Sequence, residues 1–75
     1  MLNLLEYLTT EISGSKTRVE SQESEGVILY TIFVPQEKMG LLIGKSGKTI
    51  RAIRSLARAR AVVDQTRITV QLQEE

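Results

Sequence analysis

Ile43-Gly44-Lys45-Ser46-Gly47-Lys48-Thr49-Ile50 is the stretch that decides the fold, because it places a Gly-x-x-Gly turn between two segments with helical apolar patterning. Glycine lacks a β-carbon, so positions 44 and 47 allow positive φ angles and the close approach of another backbone. The helix that we expect from Lys48 begins with N–H groups that have no intrahelical partner, and its dipole attracts anions. The stretch therefore predicts a loop on which a phosphate chain can lie.

The Gly-Lys-Ser and Gly-Lys-Thr triplets also suggest a nucleotide-binding P-loop, which requires the pattern G-x-x-x-x-G-K-[ST]. The spacing excludes that motif, since the required first glycine falls on Met39 in one register and on Leu42 in the other. A chain of 75 residues is also too short for the parallel α/β sheet that presents such a loop. We therefore predict neither nucleotide hydrolysis nor a small-molecule substrate.

The similarity to a known family extends beyond the glycine loop. Residues 34–43 resemble the strand end and the helix that precede this loop in KH domains, and residues 48–53 resemble the start of the helix that follows it. The order of the remaining elements resembles the type II KH arrangement, and the chain as a whole resembles the small bacterial single-KH proteins of the KhpA-type family. The resemblance implies one KH domain over residues 1–75, with an α+β fold.

The family resemblance also implies a function, since the glycine loop of KH domains clamps the backbone of about four nucleotides of single-stranded RNA. Lys45 and Ser46 would contact phosphates, and the basic helix after the loop would attract the strand. Ile43 and Ile50 would form an apolar floor for bases, with core packing as an equal alternative. The RNA-binding residues that we predict are Ile43, Gly44, Lys45, Ser46, Gly47, Lys48, Ile50, Arg51 and Arg54.

The resemblance implies protein partners as well as RNA. Members of the family work with a second KH-containing protein, and self-association into a dimer is also expected. Two alternative functions stay open on the sequence alone. One is an assembly module that keeps the KH fold and uses RNA little, and the other is a ribosome-associated factor.

Charge is segregated along the chain. Residues 1–37 contain two basic and six acidic side chains, whereas residues 38–67 contain eight basic and one acidic. A basic segment centred on the glycine loop is the electrostatic pattern of a phosphate-binding surface. The charge pattern therefore points to the same phosphate-binding region as the glycine motif.

Composition narrows the remaining classes of function. The chain has no cysteine and no histidine, so we expect no disulfide, metal site or other cofactor. Asp64 has no evident partner for acid–base chemistry, and we predict a protein without catalytic activity. The first residues lack the basic start of a signal peptide, and no apolar run is long enough to span a membrane. A soluble, cytoplasmic protein with no membrane partner is the expectation.

Hydrophobic periodicity predicts the order α-β-β-α-α-β, with helices covering one face of a three-stranded sheet. The predicted helices cover residues 1–12, 36–43 and 48–61. The predicted strands cover residues 17–22 at an edge, 27–34 at the centre and 66–71, with a polar turn over residues 21–26 and a stop at Pro35.

The same periodicity assigns side chains to faces. The third helix should bury Ile50, Ile53, Leu56, Ala57 and Ala61 and present Lys48, Arg51, Arg54 and Arg58 on the opposite side. The first helix should pack through Met1, Leu4, Leu5, Leu8 and Ile12. In the central strand Tyr30, Ile32 and Val34 should face the helices. Leu29 and Phe33 should face away from them, either as an exposed protein interface or, as an equal alternative, partly covered by side chains of neighbouring strands. Gly40, inside a helix, is expected to allow close packing.

Overall fold

Three helices and three strands follow one another in the predicted α-β-β-α-α-β order. The computed structural model describes all 75 residues. The elements are α1 (Leu2–Ser13), β1 (Arg18–Ser24), β2 (Val27–Val34), α2 (Gln36–Ile43), α3 (Lys48–Asp64) and β3 (Arg67–Glu74), with a short 3₁₀ turn at Lys45–Gly47. The bounds of β2 and α2 agree with the prediction, whereas β1, α3 and β3 all extend further along the chain than predicted.

The sheet is mixed, with strand order β1-β2-β3. The two-residue turn between β1 and β2 is formed by Glu25 and Gly26, with φ angles of 52° and 81°. Two positive φ angles define the type I′ turn, whose twist matches that of the flanking strands. The predicted polar turn over residues 21–26 was therefore too long, because Ser21 and Ser24 pair with Tyr30 and Val27 across the hairpin.

β2 and β3 are parallel, and Val27 lies opposite Arg67. Parallel neighbours cannot be joined by a tight turn, so the chain must cross over one face of the sheet between them. The crossover consists of α2, the glycine loop and α3. This topology holds the loop between two helices and places α3 against the sheet beside β3.

The hydrophobic core lies between the helices and one face of the sheet. Tyr30, Ile32 and Val34 of β2 point into it, as predicted, and Val70 of β3 joins them. The buried side chains that form this cluster are Leu5, Val19, Tyr30, Ile32, Val34, Leu42, Ile50, Ile53, Ala57 and Val70. All the buried strand residues belong to the same face, which confirms a two-layer α+β arrangement.

The buried side of α3 is narrower than predicted, and Leu56 is 53% exposed. The helix packs through Ile50, Ile53, Ala57 and Ala61, which all lie within one sector of its circumference. At 100° per residue, Leu56 lies about 105° from the centre of that sector. The assignment of Leu56 to the core was therefore wrong, because the sheet and α2 cover only the narrower sector.

Helix α1 is rotated relative to the predicted apolar stripe. Leu5 is fully buried as expected, but Thr9 and Ser13 share its buried side, and Ile12 is 38% exposed. The hydroxyl of Thr9 donates to the carbonyl of Leu5 at 2.7 Å and forms a hydrogen bond with the hydroxyl of Thr17. This polar link between the helix and the start of β1 explains why threonine, and not Ile12, faces the sheet.

The open face of the sheet shows the partial cover by a neighbouring strand that was one of the two predicted alternatives. Leu29 and Phe33 are half-buried and not exposed. The guanidinium carbon of Arg18 lies 4.0 Å from the centre of the Phe33 ring, and Arg18 also forms an ion pair with Glu20. The cross-strand neighbour thus shields the aromatic ring, since Arg18 lies directly opposite Phe33 in the sheet.

Gly40 does not allow close packing, contrary to expectation. A β-carbon at this position would have no neighbouring atom within 4 Å, and the residue is exposed in the middle of α2. Its backbone has an ordinary φ angle, so the fold places no demand for glycine here. Nothing in the structure explains this glycine.

Candidate nucleic-acid interface

The glycine loop has a backbone that only glycine can supply at its first position. Gly44 has φ 76° and ψ 171°, a combination that other residues avoid. A β-carbon there would overlap the side-chain hydroxyl and β-carbon of Thr49 in the first turn of α3. Gly47 also has a positive φ, 74°, and Ser46 between them has φ 55°. The loop is therefore a tight left-handed turn pressed against the start of α3.

One backbone hydrogen bond joins the loop to α2, and another lies within the loop. The N–H of Gly44 donates to the carbonyl of Gly40 at 2.9 Å and ends α2, and the N–H of Gly47 donates to the carbonyl of Gly44 at 3.1 Å. The side chains of Lys45 and Ser46 remain exposed at the tip of the turn. The turn thus presents a positive charge and a hydroxyl from a short, internally bonded backbone.

The first turn of α3 is open to an anion. No side chain caps it and no acidic residue lies within it. Uncapped N–H groups and the positive end of the helix dipole favour a bound phosphate. The exposed Lys48 begins this turn, and a β-carbon on Gly47 would lie 3.4 Å from Nη1 of Arg51. Helix α3 therefore brings the Arg51 guanidinium beside the loop.

The cations around the loop have no carboxylate partners. The ion pairs of the structure involve Arg18 and Arg60, which lie outside the loop region. Lys45, Lys48 and Arg51 are all exposed and free of such pairing. Their charges are available to a ligand, and the predicted basic surface around the loop is present in the fold.

The two predicted apolar residues occupy different environments. Ile43, at the end of α2, is 40% exposed beside the loop, where a base could rest on it. Ile50 is only 7% exposed and belongs to the hydrophobic core. The structure therefore gives Ile50 a packing role below the loop and leaves Ile43 as the apolar surface next to it.

Arg54 is directed toward the sheet and away from the loop. Its Nε donates to the backbone carbonyl of Val70 in β3 at 3.2 Å, and the side chain is half-buried. It lines a cleft of about 230 Å³ between α3 and β3. The residues that line this cleft are Arg54, Arg58, Ile68, Thr69 and Val70.

Four residues of this cleft were absent from the predicted site, namely Arg58, Ile68, Thr69 and Val70. The alternating pattern of residues 66–71 predicted a strand with Ile68 and Val70 turned inward, and the structure confirms that alternation. The pattern carried no sign that β3 lies beside α3, because that neighbourhood depends on the parallel pairing with β2. Arg54 and Arg58 are four residues apart and so share one side of α3. This spacing was the one feature of the sequence that indicated a basic side to the cleft.

The chain matches the family described as "KhpA/KhpB, KH domain" over residues 3–72. The chain belongs to this KH-domain family. It is 31% identical to "RNA-binding protein KhpA" of Chlamydia trachomatis over 77 aligned positions, covering 100% of this chain and 99% of the relative. It is 32% identical to the protein of the same name from Clostridium acetobutylicum, covering 96% and 99%. No solved structure matches the chain.

The family match includes both the glycine loop and the cleft between α3 and β3. The matched residues contain the whole loop, α3 and most of β3.

None of the three helices has the length and apolar character needed to cross a membrane. No three His, Cys, Asp or Glu side chains are grouped closely enough to hold a metal ion.

Proposed function

We propose that this chain is a non-catalytic, cytoplasmic RNA-binding protein that clamps short stretches of single-stranded RNA on the loop from Gly44 to Gly47. The observation that carries the proposal is the loop itself. Gly44 has no room for a β-carbon, and the exposed tip and the helix behind it carry cations that no carboxylate neutralises. Membership of a family whose relatives are named RNA-binding proteins supports the choice of ligand.

The loop would hold the sugar-phosphate backbone. Glycine at 44 and 47 lets the strand approach, Lys45 supplies a point charge and Ser46 a hydroxyl donor. The uncapped first turn of α3 adds N–H groups and a favourable dipole. Arg51 lies against Gly47 and would reach the same phosphates. Binding would rest mainly on the backbone, because the chain has a single Phe and two Tyr, none of them in the loop.

The part of the RNA that extends beyond the glycine loop would follow the basic side of α3. Arg54 and Arg58 lie along that helix and lead into the cleft beside β3. Arg54 lies about 10 Å along the helix axis from Gly47, at 1.5 Å per residue. A strand held at the loop would therefore pass the cleft within a few nucleotides, which agrees with the short footprint of KH domains.

The decisive experiment replaces Lys45 and Ser46 together with Asp. Two negative charges would then stand where the proposal places phosphate, so affinity for a short single-stranded RNA should fall at least tenfold. The matched control replaces Lys16 and Ser24 with Asp, which changes the net charge equally at exposed positions far along the chain from the loop. Equal affinity for the loop variant and the wild type, with native circular dichroism, would overturn the clamp.

Self-association, or pairing with a second KH-containing protein, is a second candidate function. It is favoured by apolar side chains that α3 leaves uncovered, since Leu56 is 53% exposed and Val63 77% exposed. They lie seven residues apart and so share one side of the helix, away from the core. We therefore propose this side of α3 as the association surface. The open face of the sheet is a weaker candidate, because Arg18 shields Phe33 there. Sedimentation over a range of concentrations tests it.

A further inference from the structure

Each glycine of the loop makes room for one side chain at the start of α3. A β-carbon on Gly44 would overlap the hydroxyl and β-carbon of Thr49, and a β-carbon on Gly47 would lie 3.4 Å from Nη1 of Arg51. Arg51 belonged to the predicted site, whereas Thr49 did not. The hydroxyl of Thr49 nevertheless lies directly against the loop backbone on which RNA is proposed to bind.

The hydroxyl of Thr49 has no partner within the molecule, since none of the side-chain hydrogen bonds involves it. A threonine in a helix often donates to the carbonyl three or four residues earlier, as Thr9 does to Leu5 at 2.7 Å. Every buried side-chain oxygen and nitrogen has a partner, and Thr49 is half-buried, so its unpaired hydroxyl reaches solvent. Thr49 therefore presents a free donor beside Gly44.

The surroundings of this hydroxyl favour an anion. Thr49 lies in the first turn of α3, which has no side-chain cap and no acidic residue. The exposed side chains of Lys45 and Lys48 are near it in the chain and form no ion pair. Among the groups that RNA offers, only the phosphates are charged, so this field draws phosphate oxygens toward the loop.

We infer that Thr49 is a further phosphate-binding residue, whose hydroxyl donates to a phosphate oxygen of the nucleotide lying over Gly44. A hydrogen bond to a charged acceptor is shorter and stronger than one between neutral groups. The inference rests on the proposed RNA clamp and adds to it a ligand-binding side chain that comes from the helix and not from the tip of the loop.

Two substitutions of Thr49 separate hydrogen bonding from packing. Thr49→Val keeps the branched shape against Gly44 but lacks the hydroxyl, whereas Thr49→Ser keeps the hydroxyl and lacks the methyl group. We expect Thr49→Val to bind a short single-stranded RNA at least about fivefold more weakly than the wild type, measured by fluorescence anisotropy, and Thr49→Ser to stay within about twofold. The reverse order would show that Thr49 only packs, and would overturn the inference.

The matched control is Thr66→Val. Thr66 is exposed, its hydroxyl is also unpaired, and it lies beyond the opposite end of α3, so its substitution should leave RNA affinity unchanged. Thr49→Ala removes the hydroxyl with a good helix former and decides the matter if Thr49→Val lowers the melting temperature. Wild-type affinity in a natively folded Thr49→Ala protein would overturn the inference.

Chemical changes in the RNA identify the acceptor. A tetranucleotide matches the footprint of a KH domain, and its phosphates can be replaced one at a time by uncharged methylphosphonates. At the phosphate bound by Thr49, the wild type should lose more affinity than Thr49→Ala, which already lacks that bond, and elsewhere the two losses should agree. Removing single 2′-hydroxyls should affect both proteins equally. Coupling of Thr49 to a 2′-hydroxyl and to no phosphate would contradict the assignment.

The clamp and the role of Thr49 fail in distinguishable ways. If the double Asp variant of Lys45 and Ser46 binds RNA as well as the wild type, the proposed clamp is wrong whatever the Thr49 variants do. If that variant loses binding but Thr49→Val and Thr49→Ala bind like the wild type, the clamp stands and the role of Thr49 is overturned.

Discussion

The side chain of Thr49 occupies the space that a β-carbon on Gly44 would need. Together with the positive φ of Gly44, this contact makes glycine obligatory at the entrance to the loop. We expect Gly44→Ala to lower the free energy of unfolding by about 1–3 kcal/mol, the usual cost of a strained backbone conformation. Urea unfolding followed by circular dichroism measures the change, and RNA affinity should fall with it.

Gly40→Ala is the matched control for the preceding substitution. Gly40 is four residues earlier, exposed, helical and without neighbours near its missing β-carbon. Alanine should therefore raise the free energy of unfolding by about 0.5–1 kcal/mol through the lower entropy of the unfolded chain and higher helix propensity. If both alanine variants are as stable as the wild type, the loop is not constrained in the way that Thr49 implies.

Salt dependence tests the electrostatic part of the clamp. Neutralising three or four phosphates of a single strand gives a log–log slope of about −0.7 per phosphate. Affinity for a short RNA should therefore drop about 20- to 50-fold between 50 and 200 mM salt. Titrations at four or more salt concentrations provide the slope. A flat response would show that the unpaired cations around the loop do not contact the ligand.

Tyr30 makes stability sensitive to alkaline pH. Burial, with a smaller contribution from the negative charge of Asp64, raises the pKa of Tyr30 above its ordinary value of 10.0. Above about pH 10 the unfolded chain releases this proton before the folded chain does, so the free energy of unfolding falls as pH rises. Below that pH the contribution is complete.

The pH effect can be isolated by comparing two tyrosines. Between pH 9 and pH 11 the free energy of unfolding should fall less in Tyr30→Phe than in the wild type, because the variant lacks the hydroxyl whose pKa is raised. Tyr7→Phe should behave like the wild type, since Tyr7 is 63% exposed. Urea unfolding at the two pH values gives the comparison, and an identical loss in all three proteins would exclude Tyr30 as the cause.

Leu56 provides the test of self-association. Leu56→Gln removes an exposed apolar side chain from α3 while keeping good helix propensity, so the sedimentation coefficient should shift toward that of a monomer. Leu41→Gln alters a comparably exposed leucine, 51% against 53%, on α2 and should leave association unchanged. A wild-type chain that sediments as a monomer at every concentration would dismiss this candidate function.

Local signals in the sequence predicted much of the fold. Pro35 ended β2 where expected, and the run of apolar, β-branched residues before it formed the central strand. The glycine loop also lies between two helices as predicted. These features depend on backbone restrictions of proline and glycine, which act within a few residues and are visible in the chain itself.

The predictions were wrong where contacts between distant segments determine which side chains are buried and where they point. Leu56 fitted a broad apolar stripe, but only the packed elements determine how much of α3 is covered. Thr9 is buried because Thr17, eight residues away, supplies a hydroxyl partner. The Arg54 side chain belonged to the predicted site, yet its direction follows from a carbonyl in β3, which no periodicity could place beside α3.

The parallel register that pairs Val27 with Arg67 spans 40 positions of the sequence. Pairings between such distant segments form late in folding, because a long loop must close first. Until residues 67–74 join the sheet, the cleft beside α3 lacks its second wall. A partly folded chain without this pairing would therefore have the glycine loop and α3 but no cleft.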